Sequence, residues 1–246
     1  MLKVARLLCV GLLSVGTDVY AGQTSAPAAR ATGSERFEIS SIKAVRPRLV
    51  NTIAALKKGD IAGANAAFDA YDSGWNGIEV YINARNRDLY GELERTYQAK
   101  IAEGLNAPKP DTTALLAQAQ AMLGKYDEAI SLVAKAPPLN PLFDDVARLR
   151  IVRANLREVN PALKAGQVAK ARQSFATFND KWDSIEDLIK ARSREAYDEI
   201  EKGMIQIERA LMPDKPDVNE AISLVSSVMD KYNAVLADIT KDARAR

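Results

Sequence analysis

Apolar side chains recur along this chain with the spacing of helices. Intervals of three and four residues separate the apolar positions of one segment: Phe68, Tyr71, Trp75, Ile78 and Ile82. The same intervals recur in a second segment: Phe175, Phe178, Trp182, Ile185 and Ile189. Such spacing places the side chains on one face of a helix. Since alternating β-branched runs bounded by turns are missing, the pattern predicts an all-α protein.

The two segments belong to a longer internal duplication. At an offset of 107 residues Trp75 coincides with Trp182, and when one residue is deleted Lys109 coincides with Lys215. A chain of 246 residues can hold two domains of about 100 residues each. We therefore predict two similar helical domains, preceded by two further segments. The predicted ranges are 1–21 for a signal peptide, 22–36 for a flexible leader, and 37–140 and 141–246 for the two copies.

Each copy is predicted to contain four helices. Asn86 and its counterpart Ser193 are expected to cap the third helix of each copy, and Asp111 or Thr112 the fourth helix of the first. Pro161 is expected to bend or shorten the helix that contains it. The predicted ranges are 40–58, 61–84, 86–105 and 112–135, then 142–164, 167–191, 194–212 and 217–242. Short connections imply antiparallel neighbours, so two tandem up-down four-helix bundles are predicted.

A tetratricopeptide-like helical solenoid is the alternative architecture. The stretch 124–130 resembles one helix-turn-helix unit of such an array. That repeat has a period of about 34 residues, whereas the period here is 107. The predicted helices are also longer than such a repeat allows, so the pattern favours the bundles.

The N-terminal residues have the pattern of an export signal. Lys3 and Arg6 precede an apolar stretch from Leu7 to Val15, and small residues follow up to Ala21. The apolar stretch is too short to span a bilayer comfortably. We expect a periplasmic protein without stable membrane insertion. The only cysteine, Cys9, would be removed with the signal.

The composition bears on the chemistry that is possible. The chain has no histidine, which removes the commonest general base, haem ligand and zinc ligand. Without a cysteine in the mature chain, thiolate catalysis and iron–sulfur clusters are also disfavoured. A net charge of +2 gives no strong attraction to nucleic acid. The composition therefore argues against an enzyme, and a bound metal ion such as iron would have oxygen ligands.

Two pairs of glutamates are candidate metal ligands. Glu79 lies seven residues before the predicted turn at Asn86, and Glu94 lies eight residues after it. In an antiparallel hairpin the two carboxylates should stand at the same height on adjacent helices. Glu186 and Glu201 are their counterparts in the second copy. Carboxylates that face each other across helices form many of the metal sites in bundles.

The same glutamates have an alternative, structural role. A half-buried glutamate is usually neutralised by an arginine. The arginines kept at equivalent positions of both copies are candidates for this: Arg46 and Arg153, Arg85 and Arg192. Tyr90 and Tyr197 would place a hydroxyl beside each glutamate pair. The sequence leaves a metal site and structural salt bridges both open.

One pattern resembles a known family. Phe68, Trp75 and Ile78-Glu79, followed by Leu89-Tyr90 and Leu93-Glu94, resemble the soluble extracytoplasmic helical domain of bacterial high-affinity iron permeases. The resemblance covers both copies and implies a role in iron acquisition, with the four glutamates at the family's acidic positions. It also implies a membrane permease as partner.

The resemblance does not extend to the membrane part of that family. The permeases carry Arg-Glu-x-x-Glu in membrane helices, and this sequence shows no such helices. We therefore expect an accessory or cation-binding component of metal uptake rather than a transporter. The alternative function is a periplasmic helical scaffold that binds another protein, with purely structural glutamates.

Overall fold

The computed structural model describes residues 35–245, and all regular secondary structure within this range is helical. The all-α class predicted from the sequence is confirmed. The predicted signal peptide at 1–21, Cys9 and all but the last two residues of the predicted leader lie outside the described residues. None of the described helices is long and apolar enough to cross a membrane.

The helices follow the predicted order closely. In the first half, residues 37–140, they are α1 (Phe37–Lys57), α2 (Ile61–Arg85), α3 (Arg87–Gly91), a π-helical segment (Glu92–Gln98), α4 (Ala99–Leu105) and α5 (Thr112–Lys135). In the second half, from residue 141, they are α6 (Leu142–Arg157), α7 (Val159–Lys164), α8 (Val168–Trp182), α9 (Glu186–Arg192), α10 (Arg194–Leu211) and α11 (Val218–Ala245).

Side-chain caps explain several of these boundaries. The Asn86 Oδ1 atom accepts a hydrogen bond of 2.9 Å from the backbone N–H of Leu89. Ser193 Oγ accepts one of 3.1 Å from Ala196. Both caps are confirmed at the predicted positions, and Asp111 rather than Thr112 caps α5. Each cap satisfies a backbone donor at a helix start that has no partner within the helix.

Two predicted helices of the second half are each divided. The predicted helix 142–164 is interrupted after Arg157, four residues before Pro161, where the proline ring would clash with a helical carbonyl. The prediction of one helix over 167–191 is wrong, because α8 ends at Trp182 and α9 begins at Glu186. In the turn between them, the Ser184 hydroxyl donates to the carbonyl of Lys181 at 2.6 Å and competes with helical bonding.

One extra residue in the first half is absorbed as a π-helical turn. The backbone N–H of Ala99 donates to the carbonyl of Glu94, five residues earlier, whereas α10 of the second half is a regular α-helix. Beyond this turn buried Ile101 corresponds to buried Ile207, so the offset between the halves is 106 rather than 107. π-helical turns commonly arise in this way and are frequent at functional sites.

The helices of each half contact one another in the same cyclic order. In the first half α1 packs on α2 and α5, and the stretch from α3 to α4 packs on both α2 and α5. In the second half α6 and α7 pack on α8 and α11, and α10 packs on α9 and α11. The duplicated bundle and its division into two domains stay predictions that agree with these neighbours.

The two halves pack directly on each other through α2 and α6, and residues 35–245 form one compact unit. At this interface a Cβ atom on Gly77 would lie 2.5 Å from the Ile151 Cγ1 atom and 3.4 Å from its Cα. Only glycine permits so close an approach. The hydrophobic core is accordingly continuous from one half to the other.

Candidate functional site

The glutamate of the third helix is bonded to a tryptophan of the second helix in both halves. The Trp75 Nε1 atom donates to Glu94 Oε2, and the Trp182 Nε1 atom donates to Glu201 Oε1. Each indole also stacks on a tyrosine, with ring centroids 6.2 Å apart for Tyr90 and 6.3 Å apart for Tyr197. The structure therefore brings together a glutamate, a tryptophan and a tyrosine twice.

Glu79 is bonded across the interface between the halves. Its Oε1 atom lies 2.7 Å from Arg150 Nη1, and both side chains are less than one-fifth exposed. Burial is the main cause that raises the pKa of Glu79 above its ordinary value, and the nearby Glu94 carboxylate adds to it, whereas Arg150 opposes it. Glu79 and Glu94 each have their own hydrogen-bond partner, Arg150 and Trp75 respectively.

Glu186 lies in a different environment from its counterpart Glu79. Its Oε2 atom accepts a hydrogen bond of 3.3 Å from the Tyr197 hydroxyl. Unlike Glu79, it forms no ion pair within residues 35–245. The two glutamate pairs are therefore not equivalent in the folded protein.

The arginines predicted to neutralise the glutamates bind elsewhere, so that prediction is wrong. Their partners are Asp127 for Arg46 (2.6 Å), Glu38 for Arg85 (2.6 Å), Asn233 for Arg153 (2.7 Å), and Asp238 and Asp242 for Arg192 (2.5 and 2.6 Å). Each of the four arginines contacts another helix of its own half. Arg85 also donates to the carbonyl of Pro137, in the linker between the halves.

Buried polar groups that the sequence analysis missed surround this site in the first half. Gln98 Nε2 donates to Asp72 Oδ1, while Gln98 Oε1 and the Tyr71 hydroxyl are buried without a hydrogen-bond partner. The pKa of Tyr71 is raised well above its ordinary value, first by burial, then by Tyr126 and by the carboxylates of Glu94, Asp72 and Glu79. We call Tyr71, Asp72, Glu79, Glu94 and Gln98 the polar cluster.

The polar cluster is not repeated in the second half. Phe178 stands at the position of Tyr71 and Asn179 at that of Asp72, and Met204 replaces Gln98 once the π-helical turn is counted. A comparison of the two copies would have shown these replacements. The sequence could not show that the side chains of the polar cluster meet, because the position of Gln98 depends on the π-helical turn.

The described carboxylates are not grouped as in a metal centre. Among residues 35–245 no set of three or more histidine, cysteine, aspartate or glutamate side chains is placed to hold a metal ion. The candidate glutamates are instead occupied by indole, guanidinium and phenol donors. A ligand that used them would have to displace these partners.

Two open depressions lie near the tryptophans and the interface. An acidic pocket of about 370 Å³ in the second half is lined by Trp182, Glu201, Asp180, Asp183 and Glu208, among others. A larger groove of about 580 Å³, the junction groove, is lined by residues of α2, α3, the linker 136–141, α6 and α11. Its lining includes Ala84, Arg87, Leu139, Phe143 and Arg244. The junction groove exists only because the two halves pack together.

Comparison with known proteins adds no identification. No protein-family profile, no curated protein and no solved structure matches this chain.

Proposed function

We propose that this protein is a non-enzymatic helical binding component that acts in the periplasm and holds a partner protein in the junction groove. The observation that carries the proposal is that both halves and the linker contribute to the groove. Ligand and partner sites are commonly found where two domains meet. The Glu79–Arg150 ion pair joins α2 and α6, two of the helices that line the groove.

The chemistry of the groove suits a mixed polar and apolar segment of a partner. Leu139, Phe143 and Ala84 offer apolar surface, while Arg87 and Arg244 offer positive charge at its edges. The lack of histidine in the sequence supports a binding role over a catalytic one. A membrane permease or another periplasmic protein is the kind of partner that this location implies.

Site-specific photo-crosslinking in the source organism tests the proposal. A photoreactive phenylalanine analogue at Leu139, which lines the groove, should give one discrete crosslinked product. The matched control is Leu116 on α5, which is also half-buried but does not line the groove. Ala84→Trp, at an exposed groove position, should abolish the product without a loss of stability. Equal products at both positions, or a product that survives Ala84→Trp, would reject the proposal.

The periplasmic location has a separate test. The export pattern ends at Ala21, so N-terminal sequencing of the protein from the periplasmic fraction should begin at Gly22. Full-length protein in the cytoplasmic fraction would reject this part of the proposal and leave the junction groove to be tested by itself.

Cation binding linked to metal uptake is a second candidate function. The polar cluster favours it, because Tyr71 and Gln98 each bury an unpartnered oxygen near carboxylates. The carboxylates of Glu94 and Asp72 contribute to the raised pKa of Glu79. The resemblance to the iron-permease domain, which places Glu79 and Glu94 at acidic positions, also supports it. Oxygen ligands of this kind suit Fe³⁺, Mn²⁺ or Ca²⁺.

Calorimetric titration separates the two candidate functions. The mature protein is titrated with Fe²⁺, Fe³⁺, Mn²⁺ and Ca²⁺, and the titrations are repeated with Glu79→Gln/Glu94→Gln. The matched control is Glu186→Gln/Glu201→Gln, in the half that lacks the other polar groups. Micromolar binding that only the first variant loses supports cation binding. An absence of binding to the unmodified protein rejects it.

A further inference from the structure

A row of three arginines lies along one face of α6. Arg150, Arg153 and Arg157 are spaced three and four residues apart, which aligns their side chains on a helix. Arg150 is paired with Glu79 at 2.7 Å and Arg157 with Asp72 at 3.5 Å. The row therefore has two carboxylates for three positive charges.

Arg153 is the arginine without a carboxylate. Its Nη1 atom donates to the neutral amide oxygen of Asn233 at 2.7 Å, and its Nε atom is buried with no acceptor. No carboxylate among the described residues lies within 4.0 Å of it. Burial lowers the pKa of Arg153, and the neighbouring Arg150 and Arg157 lower it further. A half-buried positive charge without a counter-charge is unfavourable unless an anion approaches it.

The side chain of Arg153 faces an open groove between α6 and α11. This arginine groove has a volume of about 530 Å³, and its charged lining consists of Arg150, Arg153, Lys241 and Arg244. No carboxylate lines it. Lys241 and Arg244 are exposed, and within residues 35–245 neither forms an ion pair. The charges thus come from two helices and converge on one opening.

We propose that the arginine groove binds a phosphate group, either free phosphate or a phosphate monoester. Guanidinium groups donate paired hydrogen bonds to phosphate oxygens, and an ammonium group adds a further charge. Arg153, Lys241 and Arg244 are three positive charges that no carboxylate of the groove lining compensates, and they attract the negative charge of a phosphate group. The inference goes beyond the proposed function and does not depend on occupation of the junction groove, although Arg244 borders both.

Calorimetric titration with two probes tests the inference. The mature protein is titrated with inorganic phosphate and with glycerol 3-phosphate, against sodium chloride of equal ionic strength. We expect saturable binding of at least one probe, with Kd about 1 mM or lower, weakened at least tenfold by Arg153→Gln and by Lys241→Gln. Preference for inorganic phosphate indicates the free ion, and preference for the other probe indicates a monoester. Lys57→Gln, at an exposed lysine on α1 that does not line the groove, is the control.

Two results would overturn the inference: no saturable binding of either probe, or binding that the two groove variants do not weaken. Lys241 is exposed, so its substitution reports on binding even if Arg153→Gln fails to fold. Thermal unfolding gives an independent readout. Phosphate should raise the Tm of the unmodified protein, and Arg153→Met should abolish that rise. In the absence of phosphate, the Tm of Arg153→Met should equal or exceed that of the unmodified protein, because methionine buries no charge. A rise that persists in Arg153→Met would contradict the inference.

Discussion

The indole N–H of Trp75 donates its hydrogen bond to the carboxylate of Glu94. The indole is fully buried, so the bond satisfies a donor that water cannot reach. Trp182 and Glu201 repeat the bond in the second half. The need to satisfy the buried indole donor explains why both copies have a tryptophan and a glutamate at these positions.

Removing the acceptor in the first half should destabilise the protein more than removing the acceptor in the second half. Glu94→Ala leaves the Trp75 donor unsatisfied and should lower the free energy of unfolding by about 1–3 kcal/mol. Glu201→Ala should cost less, because Trp182 and Glu201 line the open acidic pocket, where water can accept the bond. Urea unfolding followed by tryptophan fluorescence measures both.

Glu94→Gln is the matched control for that comparison. Its amide oxygen can still accept the indole hydrogen bond, so the loss should stay below about 1 kcal/mol. A loss as large as that of Glu94→Ala would show that the charge of Glu94, rather than its role as acceptor, is what the fold requires.

Tyr71→Phe should stabilise the protein. The Tyr71 hydroxyl is buried without a partner, and the second half has Phe178 at the equivalent position. Removing an unsatisfied buried hydroxyl should raise the free energy of unfolding by about 1 kcal/mol. A decrease of that size would show that the hydroxyl is hydrogen-bonded in the folded protein, and would strengthen the case for a ligand in the polar cluster.

The contribution of Glu79 to stability should decline as pH rises. Its pKa in the folded protein lies above the ordinary value of 4.5, so folding favours the protonated form. The stability it contributes is present below the ordinary pKa and is lost as pH rises through the folded-state pKa. The difference in free energy of unfolding between the unmodified protein and Glu79→Gln should therefore decrease above about pH 4 and then become constant. A relative stability that increases over this range would contradict the assignment.

Two glycine substitutions of opposite sign test the contact between the halves. Gly77→Ala places a methyl group against Ile151 of α6 and should lower the free energy of unfolding by about 1–3 kcal/mol. Gly124→Ala, inside α5 with no atom near the added methyl group, should raise it by about 0.5–1 kcal/mol. If Gly77→Ala and Gly124→Ala changed the Tm by the same amount and in the same direction, α2 and α6 would not approach each other this closely.

Local signals in the sequence predicted much of the fold. Apolar spacing gave the helices, and Asn86, Ser193 and Pro161 marked real boundaries, because caps and prolines act within a few residues. The break at Ser184 was missed, since a serine side chain competes with helical bonding only in some contexts.

The site depended on contacts that periodicity cannot show. Arg150, the partner of Glu79, lies 71 residues away in the other copy. A helical pattern indicates which face is apolar but not which helices of two copies meet. The one-residue difference between the copies was visible, but it lies between Glu94 and Lys109, a stretch that also contains the connection to α5. The sequence therefore could not assign it to a helix, where the structure forms the π-helical turn.

The account depends most on the two halves being held as one body, because the junction groove exists only then. The two tryptophans, Trp75 and Trp182, lie one in each half and report on them separately. With 5-fluorotryptophan in the otherwise unmodified protein, ¹⁹F NMR resolves one native signal for each. We predict that both signals disappear at the same urea concentration, in a single cooperative transition. Loss of one signal while the other persists would show that the halves unfold independently and would contradict the account.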